Sequence, residues 1–102
     1  MLHIPSHRVP THPGEMLREE FLIPLGLDSA DIAQAIHVSD QEIQALIQGY
    51  GNMTPSIALR LARLLGMSAD FWMNVQLRWD LYRVQQAEQA DIDAIQPFMR
   101  AA

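Results

Sequence analysis

The residues of this 102-residue chain that could carry chemistry fall into three groups: histidines, glutamates and glutamines. His3, His7 and His12 lie near the start, among Pro5 and Pro10. Imidazoles ligate metals, but this spacing follows no ligand pattern and the chain has no cysteine to support one, so no metal site is expected. Glu15, Glu19 and Glu20 could be paired carboxylates. With no base near them they read as the solvated face of a helix. There is no nucleophile–base pair, phosphate-cradling glycine loop or metal set, so an enzyme, a cofactor and a small-molecule substrate are all unexpected. Gln41 and Gln44 differ, because a side-chain amide can make paired hydrogen bonds to N6 and N7 of adenine in the major groove. The same spacing suits ordinary glutamines on a helix surface, and both readings stand.

The segments that must position those glutamines are short and well marked. Ile32, Ala33 and Ile36 form one apolar face, and Ile43, Leu46 and Ile47 form a matching one. Val38 lies at the corner between them. Asp28 and Ser39 stand where N-caps are needed, each followed three residues later by a carboxylate, Asp31 and Glu42, and Ser39 with Glu42 makes a full capping box. Residues 28–49 therefore have the spacing of a helix-turn-helix, which makes duplex DNA the first partner to consider. His37 falls at the turn, where a left-handed backbone is expected, and reads as a structural residue.

Around this pair, residues 1–12 read as an extended arm. Pro13 opens a helix carrying Met16, Leu17 and Phe21, and Pro24 ends it. A loop with Gly49 and Gly51 follows the helix-turn-helix, with both glycines available for positive φ. Thr54 and Pro55 start a further helix that Gly66 closes, and Ser68 caps a last helix running to about residue 88. Residues 13–88 thus form one helical domain and 89–102 a tail, with a brief amphipathic turn at 91–96. The last helix is apolar on more than one stripe, so part of it should meet a second copy or a protein partner. Phe71, Trp72, Val75, Trp79 and Tyr82 are the candidate interface residues.

Charge complicates the DNA reading. The net charge is −5, every basic residue is arginine, and none lies between Glu19 and Leu59. Asp28, Asp31, Asp40 and Glu42 leave the helix-turn-helix acidic, which opposes the phosphate neutralisation behind most non-specific affinity. The same acidity favours a basic protein partner. No apolar run approaches the roughly 18 residues that span a bilayer, and the N-terminus lacks the pattern of a secretory signal. With no cysteine, a cytoplasmic protein without a membrane partner is expected.

Several motifs occur together in order: His12-Pro13-Gly14-Glu15-Met16-Leu17-Arg18-Glu19-Glu20-Phe21, the helix-turn-helix, Thr54-Pro55 with Ala58-Leu59-Arg60-Leu61-Ala62, and Phe71-Trp72-Met73-Asn74-Val75-Gln76 with Asp80-Leu81. Across about residues 12–83 the chain resembles the HigA antitoxins of the lambda-repressor-like (XRE) helix-turn-helix superfamily. The resemblance implies an all-α, five-helix domain with an N-terminal arm and a short C-terminal tail. It further implies a homodimer that neutralises a basic, HigB-like mRNA-cleaving toxin and represses its own operon by binding the operator. Ser39, Gln41 and Gln44 match the positions that face the major groove. Tyr50 and Asn52 match the loop beside the phosphates, and Ser29 completes the DNA-facing set. The basic residues usual in that loop are absent, and Asp40 and Glu42 stand where Arg, Ser or Thr is more usual. The alternative is a toxin-binding or solitary interaction protein whose DNA binding is weak or lost.

Overall fold

The computed structural model describes residues 9–98; residues 1–8 of the expected 1–12 arm, with His3 and His7, and residues 99–102 of the expected 89–102 tail lie outside it. Five helices follow one another. Helix α1 covers residues 13–25 in three stretches: Pro13–Leu17, a π turn at Arg18–Leu22, and Ile23–Leu25. Then come α2 (Ser29–Ile36), α3 (Asp40–Ile47), α4 (Pro55–Leu65) and α5 (Ala69–Asp93).

Most boundaries follow the local chemistry. Asp28 and Ser39 each complete a capping box, with Asp31 and Glu42 returning a carboxylate to the cap backbone. Thr54 Oγ1 accepts from the Ile57 N–H at 3.2 Å, and Ser68 Oγ accepts from the Asp70 N–H at 3.0 Å. His37 takes the left-handed turn between α2 and α3 at φ 62°, and the Val38 N–H closes onto the Ala33 carbonyl at 3.0 Å.

Four boundary details differ from the sequence expectations. Pro24 does not end α1. It has no N–H to donate, and the turn before it widens to a π turn in which the Ile23 N–H reaches the Arg18 carbonyl, so the helix continues to Leu25 and turns at Gly26, φ 68°. Of the two loop glycines, Gly49 alone adopts positive φ. Gly51 instead packs close, and a Cβ there would lie 3.1 Å from the Leu46 nitrogen. Helix α5 runs to Asp93 rather than to about 88, because residues 85–93 contain no helix breaker and the Gln89 amide bonds the Asp93 carboxylate at 2.7 Å. Finally, His12 belongs to the domain and not to the arm.

His12 is 7% exposed and serves as N-cap of α1, its Nδ1 accepting from the Gly14 N–H at 2.9 Å. Its ring meets Trp79 of α5 edge-on, with centroids 5.0 Å apart. Burial lowers its pKa below the ordinary 6.5, against the opposing pull of the Gly51 backbone and the Glu15 and Asp80 carboxylates. The unfolded chain therefore binds a proton here more readily than the folded one. Stability should be complete above pH 6.5 and decline as pH falls through and below that value. Urea melts between about pH 5 and 8 measure this, and His12→Asn, which keeps a cap but cannot titrate, should flatten the profile.

The core is a single cluster. Leu17, Ile32, Ile43, Leu46, Leu61 and Trp72 are essentially inaccessible, and Ala33 and Ala58 let helices approach. The closest approach of all is made by Gly14. A Cβ on it would sit 1.7 Å from the Leu46 carbonyl oxygen and 2.9 Å from the Ile47 Cα. Thus the first turn of α1 lies directly on the backbone at the end of α3 and seats that helix.

Candidate nucleic-acid interface

Helix α3 presents Gln41 and Gln44 on its exposed side, and its C-cap Gln48, also exposed, continues the row. Asp40 opens the helix and is half-buried against the start of α2. Its carboxylate accepts from the Ser29 hydroxyl at 2.8 Å through Oδ1 and from the Gln44 amide at 2.7 Å through Oδ2. Two of the expected DNA-facing residues, Ser29 and Gln44, are therefore joined through a third residue outside that set. The (i, i+4) spacing of Asp40 and Gln44 is visible in the sequence. The bond to Ser29, eleven residues away, is not.

Ser39 takes the cap expected of it. Its hydroxyl accepts from the Glu42 N–H at 3.1 Å and donates to the Glu42 carboxylate at 3.2 Å, so it is spent on the cap and has no proton left for a base edge. Tyr50 projects freely, 82% exposed, from the loop after α3. That loop folds back on the helix, since the Tyr50 and Gly51 N–H groups both reach the Ala45 carbonyl at 2.9 Å. The Asn52 Oδ1 accepts from Gln76 at 3.3 Å, which leaves the Asn52 amide to donate.

Sequence reasoning missed Gln76, which is 4% exposed. Its Oε1 accepts from the Met53 N–H at 2.6 Å, and its Nε2 donates to Asn52 and, at 2.8 Å, to Asp80. One side chain on α5 therefore fastens the loop that follows the recognition helix. Arg18 was also missed. It comes from α1, yet it lines an open depression of about 500 Å³ together with Asp28, Ser29, Gln44, Ile47 and Gln48. The helix-turn-helix stretch itself has no basic residue, and the fold brings Arg18 beside it, with its guanidinium paired to the Glu19 carboxylate at 2.9 Å. Arg60 works elsewhere: its guanidinium donates to the Ile36 carbonyl at 2.8 Å and stabilises the C-terminal end of α2.

The residues expected at a partner interface separate into two groups. Trp72 is fully buried and Val75 is 8% exposed, so both complete the core of their own chain and are removed from the partner-facing set. Phe71, Trp79 and Tyr82 are half-buried. The exposed apolar stripe of α5 is Leu77, Leu81 and Val84, 52%, 59% and 43% accessible, at the three- and four-residue intervals of one helix face. Among the described residues no group of His, Asp and Glu could hold a metal, and no helix is long and apolar enough to cross a membrane.

Residues 17–72 match the family model described as Helix-turn-helix. Antitoxin HigA-1 of Vibrio cholerae is 37% identical over 90% of this chain and 87% of its own length. The chain belongs to the HigA antitoxin family of helix-turn-helix proteins. Virulence-associated protein I of Dichelobacter nodosus is 42% identical over 78% of this chain and 73% of its own. The solved structure of the Pseudomonas aeruginosa antitoxin HigA with the higBA promoter superposes with a TM-score of 0.84, at 34% identity, covering 88% of this chain and 99% of that one. These HigA-type proteins are regulators and not enzymes. Among the described residues the chain is all-α with five helices, and it superposes on the solved antitoxin GraA with a TM-score of 0.85 at 33% identity, covering 89% of this chain and 99% of that one.

Proposed function

We infer that this chain is the antitoxin of a type II toxin–antitoxin pair, that it neutralises a basic, HigB-like mRNA-cleaving toxin, and that it represses its own operon by binding the operator. The observation that carries the DNA half of the reading is the exposed row Gln41, Gln44 and Gln48 on a helix whose start is tied by Asp40 to Ser29. It is supported by the relative solved with the higBA promoter. Gln41 and Gln44 address base edges, Ser29 holds Asp40 at the start of α3, Tyr50 and Asn52 address the backbone, and Ser39 acts through the helix cap. The toxin half rests on the V. cholerae relative, named an antitoxin, and on the net charge of −5, which suits a basic partner. The protein acts as a homodimer in the cytoplasm. The Leu77–Leu81–Val84 stripe, flanked by Trp79 and Tyr82, is the surface that a second copy would cover, and a symmetric dimer places two α3 helices on half-sites about one DNA turn apart.

Binding to the promoter region, followed by fluorescence anisotropy at several salt concentrations, tests the reading. With Arg18 as the arginine on this face, the log–log salt slope should be shallow, about −1 per protomer. Arg18→Ala should flatten it by about that amount and weaken binding to all sequences alike. Restored growth on co-expression with the toxin encoded beside it reads the other half. No preference for the promoter even at low salt would remove the repressor role and leave a toxin-binding protein.

A further inference from the structure

Asp40 stands where charge alone would exclude it. A carboxylate at the start of a helix that meets duplex DNA opposes every nearby phosphate. The α3 cap does not require it either, because Ser39 and Glu42 already make the capping box. What distinguishes Asp40 is its fixed orientation, one carboxylate oxygen held by Ser29 at 2.8 Å and the other by Gln44 at 2.7 Å.

We propose that Asp40 is a base-reading residue that accepts a hydrogen bond from the N4 amino group of a cytosine in each half-site, with Ser29 and Gln44 as its positioning residues. This rests on the operator-binding reading above. An ionised carboxylate only accepts, and its two oxygens offer about four lone-pair sites, of which the two tethers use two. In the major groove cytosine presents an amine and no acceptor. Guanine presents N7 and O6, thymine presents O4, and adenine sets N7 beside its amine. A tethered acceptor therefore favours cytosine and is repelled by the acceptor edges of the others. Gln44, with one amide proton on Asp40, adds its own Oε1 as a neighbouring acceptor, so the pair suits amino-bearing bases. The charge that weakens binding to arbitrary sequence then serves discrimination, because a non-cognate duplex suffers the repulsion without the compensating bond.

Selection of bound duplexes from a randomised library by the full chain tests this. Wild type should enrich a palindromic motif with cytosine at one fixed position per half-site. Asp40→Asn, nearly isosteric and still able to accept from Ser29, should lower the cytosine preference at that position at least about fivefold and leave unchanged the positions beyond the reach of Gln44, whose amide loses its acceptor. Ser29→Ala keeps the charge and removes one tether; it should weaken the same preference and no other, and it carries the test should the Asn variant fold poorly. If Asp40→Asn keeps the cytosine while binding all sequences more tightly, Asp40 acts only as a charge and the inference falls, although operator binding stands. If wild type enriches no motif, both fall.

Discussion

Gly14→Ala should lower the stability of this protein by about 3 kcal/mol, at the upper end of what overpacking usually costs. The reason is the identity of the atoms in the way. The added methyl would meet the Leu46 carbonyl oxygen at 1.7 Å, the Leu46 carbonyl carbon at 2.5 Å and the Ile47 Cα at 2.9 Å, all backbone of α3 that cannot turn aside as a side chain would. Relief requires α1 to lift from α3, and His12, which caps α1 and packs against Trp79, must move with it. In a domain of this size the melting temperature should fall on the order of 12 °C or more. DNA affinity should fall with it, since the end of the recognition helix loses its seat. An alanine variant melting within a few degrees of wild type would show that the first turn of α1 does not lie on α3.

Gln76→Leu should cost about 2 kcal/mol for a different reason. Leucine fills nearly the same volume, so no large cavity forms. The loss is polar: the Met53 N–H, in a residue 2% exposed, is left without its 2.6 Å acceptor, and the bonds to Asn52 and Asp80 vanish. A buried donor stripped of its partner bears its full desolvation penalty. The local readout is sharper than the global one. Amide exchange of Met53 should accelerate in Gln76→Leu well beyond the change expected from overall stability, and the loop carrying Tyr50 and Asn52 should become mobile relative to α3. Unchanged protection at Met53 would mean that the loop is held by its own bonds to Ala45.

Helix starts and turns were legible in the sequence because they depend on atoms a few residues apart. Asp28, Ser39, Thr54 and Ser68 bond amides two or three positions on, and His37 and Gly66 turn the chain within one residue. The apolar faces of the helix-turn-helix were legible for the same reason, since Ile32, Ala33, Ile36, Ile43 and Leu46 repeat with the helical period and all are buried. Pro24 misled because a proline's missing donor ends a helix only when the preceding turn cannot rewind, and here it becomes a π turn. The long helix was misjudged where its apolar stripes cross, since period alone cannot say which stripe the rest of the chain covers. Trp72 and Val75 turned inward, while Leu77, Leu81 and Val84 remained outside.

By itself, then, the sequence determined the helices, the N-caps of α2 to α5, the helix-turn-helix spacing and the family, because each is written in short-range hydrogen bonding or in an ordered series of motifs. Tertiary structure alone decided the character of the DNA-facing surface. It brought Arg18 from α1 to a stretch with no basic residue of its own, tied Asp40 to Ser29 across the turn, and fastened the following loop through Gln76, 23 residues beyond Met53. These pairings join residues whose separation along the chain has no period, and they form only once the apolar faces have docked and brought polar side chains within hydrogen-bonding distance.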